Sequence, residues 1–257
     1  MAELNRQTMT GARTGTVAMD EGLRAYMLRV YNYMAAGLAI TGLVAYAVFA
    51  LAVTNDPAAA VAKVGTNGIM LTEFGRLVFV SPLKWVLLLA PLALVFFMSA
   101  RIHKMSVQSG QLTFWIYAAL VGASIASIFL VYTHGSISRV FFITAATFGG
   151  LSLYGYTTQK DLSGWGSFLI MGLIGIIIAE VVNIFLASSA LQFAISVIGV
   201  LVFAGLTAYD TQQIKEEYYA GDSQLVAGQK AIMGALRLYL DFLNMFLMLL
   251  TLFGNKE

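Results

Sequence analysis

Two aspartates stand where an aspartate is costly. Asp210 closes the uncharged run Val181–Tyr209, and Asp241 lies inside the last apolar run, between Leu240 and Phe242. An ionisable group at membrane depth costs on the order of 2.5–3.5 kcal/mol on insertion scales, so it marks a site unless it reaches an interface. The aspartate side chain is too short to snorkel out from the middle of a span. If the two carboxyls meet away from water, they cannot comfortably both ionise and should share one proton, which makes a pH switch. Once that proton leaves, the pair presents carboxylate oxygens, the ligands that suit a hard divalent cation such as Ca²⁺. Asp210 and Asp241 are therefore the candidate sensor and the candidate transient Ca²⁺ ligands. Arg101, at the end of another apolar run, is the candidate cation to lock them.

Helical spacing adds a polar seam to Asp241. Arg237, Asp241, Asn244 and Met248 fall at i, i+4, i+7 and i+11 on one face, with Leu240, Leu243, Leu247 and Leu250 on another. Glu180 and Asn183, at i and i+3, form a second seam that could face the first. Plainer readings stand beside these. Arg237 could simply neutralise Asp241 as a packing device, and Arg101 and Asp210 could face lipid headgroups at helix ends.

Other chemistry is poorly supplied. The chain has no cysteine and two histidines, His103 and His134, expected on opposite sides of the membrane, whereas a zinc hydrolase needs about three ligands. No lysine between Lys230 and Lys256 offers a Schiff base in the last span. Two membrane aspartates also suit intramembrane proteolysis, but the GxGD context is absent at Asp241. No serine has a credible base. The expectation is a protein that is not an enzyme and carries no cofactor. With net charge +2 and no basic stripe, nucleic acid is excluded as a partner.

The elements that must position these residues are membrane helices. Of 257 residues, 59% are hydrophobic and only 11% charged, with mean hydropathy +0.80, too little polar surface for a water-facing globule. The partner is the lipid bilayer. About 20 apolar residues cross the hydrocarbon core, and the uncharged stretches predict helices near 30–53, 83–102, 112–132, 140–158, 167–187 and 190–209, with a seventh near 231–253. The fold class is thus an all-α integral membrane protein, one seven-helix domain over 23–257 behind a disordered cytoplasmic tail at 1–22. The connection from Thr54 to Pro82 holds Asp56-Pro57 and Asn67-Gly68 turn signals and, by expectation, a short helix around Ala58–Val64. With the N-terminus inside, nine Lys/Arg fall on the cytoplasmic side against five outside (Lys63, Arg76, Lys84, Arg139, Lys256), which puts the C-terminus in the periplasm. Gly37, Gly42, Gly149, Gly150, Gly172, Gly175, Gly199 and Gly205 read as close helix approaches.

The stretch Gly205-Leu-Thr-Ala-Tyr-Asp210-Thr-Gln-Gln-Ile-Lys215, followed by Gly234-Ala-Leu-Arg-Leu-Tyr-Leu-Asp241-Phe-Leu-Asn-Met-Phe246, resembles the transmembrane Bax inhibitor motif family, in its bacterial YccA-like branch. The resemblance covers about residues 23 to 254. It implies a seven-helix bundle with the last helix near its centre, in the inner membrane, and a pH-sensitive Ca²⁺ leak in which Asp210 and Asp241 are the sensor. It also implies a locking arginine in the second span, where Arg101 is the candidate. The same branch is associated with modulating a membrane-bound AAA protease. This leaves an alternative function: an interaction protein that regulates such a protease or a stress response, without transport.

Overall fold

The computed structural model describes residues 21–64 and 68–256. The tail expected over 1–22 lies, but for Glu21 and Gly22, outside the described residues. Seven helices are long and apolar enough to cross a membrane. The first, α1, is described over Glu21–Ala52. A hairpin of β1 (Ala62–Val64) and β2 (Ile69–Leu71) follows, then a short α2 (Glu73–Gly75) continued by a π-turn at Arg76–Val80. The remaining spans are α3 (Leu83–Arg101), α4 (Val107–Ile125), α5 (His134–Thr157), α6 (Ser163–Leu186), α7 (Ser189–Glu216) and α8 (Gln224–Phe253).

Local chemistry sets where these helices start. Ser106, Thr133, Ser188 and Ser223 precede α4, α5, α7 and α8, and each side-chain oxygen accepts a hydrogen bond from an amide of the first turn. Asp161 caps α6 in the same spirit: its carboxylate accepts from the Ser163 amide at 2.8 Å. Hydrogen bonds from Ser163 hold this exposed carboxyl below the usual aspartate range.

α8 is the centre of the bundle, packed against α1, α4, α5 and α7. Leu238, Tyr239 and Met245 are fully buried, and Tyr239 donates or accepts a hydrogen bond with Thr41 of α1 at 2.6 Å. By contrast α6 packs essentially on α7 alone, and α3 on α4. Large apolar side chains are left outside, Phe185 at 83% and Phe142 at 70% exposure, a surface that only lipid would solvate well.

Several expectations need correction in detail. The helices overrun their apolar stretches: the first is already helical at Glu21, the sixth ends at Glu216 instead of 209, and the seventh starts at Gln224 instead of 231. Backbone hydrogen bonding propagates past the hydrocarbon edge where packing continues; Tyr26, Ile214 and Gln229 are all buried in these extensions. Asp210 is consequently inside a helix, not at its end. The helix expected around Ala58–Val64 is instead a turn and the strand β1, paired Ala62–Leu71, Lys63–Met70 and Val64–Ile69. The three-residue strands suit a connection closed near Gly68, whose φ of 64° a side chain would resist. Among the glycines, Gly37, Gly172, Gly199 and Gly205 do face close neighbours, whereas Gly42, Gly149, Gly150 and Gly175 face open space. Close backbone approaches between spans fall elsewhere, at Gly155 against the Ala208 carbonyl and Gly122 against that of Thr41.

Candidate functional site

The last two spans run antiparallel, and small or flexible residues set their register: Gly234 lies against Ile214, and Gly199 against Met248. That register places Asp210 of α7 opposite Asp241 of α8. Asp241 is 4% exposed and Asp210 partly buried. The two carboxyls are within hydrogen-bonding contact of each other. Two ionised carboxylates have only acceptors between them, so this contact is a hydrogen bond only when one of the pair carries a proton to donate. Asp241 Oδ2 is buried and receives no hydrogen bond from an N–H or hydroxyl donor among the described residues.

The cation beside the pair is Arg237, not Arg101. Arg237 Nη1 donates to Glu217 Oε1 at 2.8 Å, with both side chains about one third exposed. The intrahelical Arg237–Asp241 pair weighed above therefore does not form; the guanidinium reaches outward to the end of α7. Its charge still acts on both aspartates. Arg101 is exposed and lies over the Phe97 ring, 5.9 Å from its centroid. The cause is architectural: α3 packs on α4 at the edge of the bundle, so its last residue is carried away from α7 and α8.

The two polar seams do not face each other. Asn244 donates back to the Leu240 carbonyl of its own helix. Asn183 donates to Gln192 at 2.9 Å, and Gln192 donates to Glu180 at 3.2 Å, so the second seam ties α6 to the start of α7. That is the opposite end of α7 from Asp210.

Two participants had no sequence signal beyond their residue type. Glu217 stands 20 positions from Arg237, a separation that no helical rule connects. Tyr26 of α1 is buried beside Glu217 and Arg237, with its hydroxyl unpartnered among the described residues and its ring 5.6 Å from that of Tyr218. Next to the pair, Tyr31 and Ser152 hydroxyls are linked at 2.6 Å, and Ser152 to Thr211 at 2.9 Å. This chain ties α1, α5 and α7 together one residue from Asp210.

Chemically, the site is a carboxyl pair, one member buried and the other partly so, with a nearby cation already engaged by a surface acid. Among the described residues, no three carboxylates or imidazoles converge as a metal site. Two carboxylates fall far short of the 6–8 oxygens of a resident Ca²⁺.

Over residues 23–257 the sequence matches the family described as inhibitor of apoptosis-promoting Bax1. A protein of Rickettsia prowazekii is 46% identical over 238 residues, covering 93% of this chain and 92% of its own. The inner membrane protein YbhL of Escherichia coli is 44% identical over 238 residues, covering 92% of this chain and 94% of its own. A protein of Caulobacter vibrioides is 44% identical over 243 residues, covering 94% and 93%.

Proposed function

The chain belongs to the Bax inhibitor-1 family of membrane proteins, and we propose that it is a proton-gated cation leak of the inner membrane, with Asp210 and Asp241 as the gate. The observation that carries this reading is the contact of two carboxyls from the last two spans, one of them 4% exposed. The name of YbhL supports the inner membrane, and the Lys/Arg bias supports a cytoplasmic N-terminus and a periplasmic C-terminus.

In the closed form one proton bridges the pair, neutralising half its charge and clasping α7 to α8. Loss of that proton leaves two negative charges in a poorly hydrated site, which repel. The helices separate slightly or the side chains turn, and water enters. Arg237 is then drawn from Glu217 towards the pair, a short swing because it already sits within the field of both acids. The exposed carboxylates receive a hydrated divalent cation, for which Ca²⁺ is the leading candidate, and release it because two ligands bind it only weakly. Arg101 has no part in this cycle.

The test is flux into vesicles containing the purified protein and a Ca²⁺-sensitive dye, measured across pH. Wild type should conduct more as pH rises, and Asp241→Asn should not respond to pH. A variant that keeps the wild-type pH response would remove the gate from Asp241. An unaltered protein with no flux at any pH would favour the alternative, an interaction protein acting on a protease partner.

A further inference from the structure

α1 and α5 scarcely touch, although both pack on the same neighbours. Between them runs a seam holding two cavities, about 510 Å³ towards the Glu21 end of α1 and about 290 Å³ towards its Ala52 end. Arg24, Leu28 and Tyr31 line the inner cavity, and Leu38, Gly42 and Ala45 the outer. These positions recur at helical spacing on one face of α1. On α5, Phe142 borders the outer cavity and Gly149, Leu153 and Tyr156 the inner. From Arg24 to Ala45 is roughly 30 Å at 1.5 Å per residue, about the thickness of the hydrocarbon core. The seam is therefore continuous in direction with the lipid chains beside it.

Its charge is one-sided. Arg24 lines the inner mouth and is exposed, with no ion pair among the described residues. Lys215 of α7 stands beside it: its Nζ donates at 2.9 Å to the carbonyl of Tyr156, which lines the cavity, leaving further donors free. No acidic residue lines either cavity. The larger crevice against α6 differs, since Lys160 and Asp161 stand together at its mouth and cancel. Tyr31 and Ser152 form a hydroxyl floor in the inner cavity without filling it.

We propose that the α1–α5 seam seats one anionic phospholipid, with an acyl chain in the cavities and its phosphate at Arg24 and Lys215. The apolar walls recognise the chain, and Arg24 and Lys215, beside a cavity that no acidic side chain lines, recognise the headgroup charge. The seat lies one helix away from the aspartate pair, linked to it by the Tyr31–Ser152–Thr211 hydroxyls, but it does not depend on the gating reading.

The test uses the full chain in phosphatidylcholine vesicles doped with phosphatidylglycerol or phosphatidylcholine carrying a photoreactive acyl chain, and maps labelled peptides by mass spectrometry. Phosphatidylglycerol should label the facing sides of α1 and α5 in excess over phosphatidylcholine, while labelling beside Trp165, in the charge-balanced crevice, should not distinguish the two lipids. Arg24→Gln and Lys215→Gln should each cut that excess about fivefold, the ratio expected for one basic residue near an anionic headgroup. Gly149→Phe, which enters open space and so should fold, should abolish labelling of the seam. Equal labelling by both lipids, or an excess untouched by all three substitutions, would overturn the proposal. Cross-linking of the seam to a second copy in place of lipid would also overturn it.

Discussion

Asp241→Asn is the most informative single change, because it replaces a proton-dependent hydrogen bond with a permanent one. The asparagine amide can donate to Asp210 whatever the pH. Asp241 is 4% exposed and its Oδ2 receives no hydrogen bond from an N–H or hydroxyl donor among the described residues, so the substitution changes a buried contact and little else. In wild type, a proton held by the folded pair and not by the unfolded chain makes stability fall as pH rises. The loss is about 1.4 kcal/mol per pH unit between the pH at which the unfolded aspartates give up their protons and the pH at which the folded pair gives up its own, and it levels off above that. For a domain of this size 1 kcal/mol moves Tm by roughly 2–4 °C, which makes the wild-type slope roughly 3–6 °C per pH unit over that window. The variant should show almost no slope, and its vesicle Ca²⁺ flux should stay at the acidic level. The three tryptophans allow unfolding to be followed by intrinsic fluorescence between pH 5 and 9. A variant with the wild-type slope in both stability and flux would refute the reasoning.

Other perturbations follow from the same geometry. Arg237→Gln takes away the cation that compensates the ionised pair, so the flux–pH curve should move to higher pH by about one unit, the equivalent of 1.4 kcal/mol; an unchanged curve would remove Arg237 from the gate. Gly155→Ala would drive a methyl group into the backbone of Ala208, two residues before Asp210, and should destabilise by about 1–3 kcal/mol, read as a drop in Tm of several degrees. Ala187→Gly relieves a φ of 48° at the end of α6 and should stabilise by up to about 1 kcal/mol without changing flux; lower stability would show that the left-handed backbone is not strained there.

Much of the architecture was legible because the bilayer simplifies the code. Six long uncharged runs and one apolar run broken by Arg237 and Asp241 identify seven spans, and Asp241 is conspicuous because nothing near it in sequence is charged except Arg237. Helix ends were less legible. Ile214 and Gln229 are buried beyond the apolar stretches by neighbours that only tertiary packing supplies. The hairpin at Ala62–Leu71 competes with helix over a few alternating residues, where strand pairing decided the outcome. At the site, the meeting of Asp210 and Asp241 follows from antiparallel α7 and α8, but the cation beside them does not follow from spacing. Arg237 points to Glu217, beyond the end of the neighbouring span, and Arg101 is carried off by α3 to the edge of the bundle. Such choices depend on which helices touch, information that a one-dimensional pattern of apolar runs does not hold.

The shared proton itself can be observed by infrared titration of the purified protein, comparing wild type with Asp210→Asn and Asp241→Asn. Wild type should show one protonated carboxyl at neutral pH that vanishes in either variant and is lost as pH rises over the same range in which flux increases. Two carboxyls ionising together in the range of free aspartate, with no protonated group at neutral pH, would contradict the account.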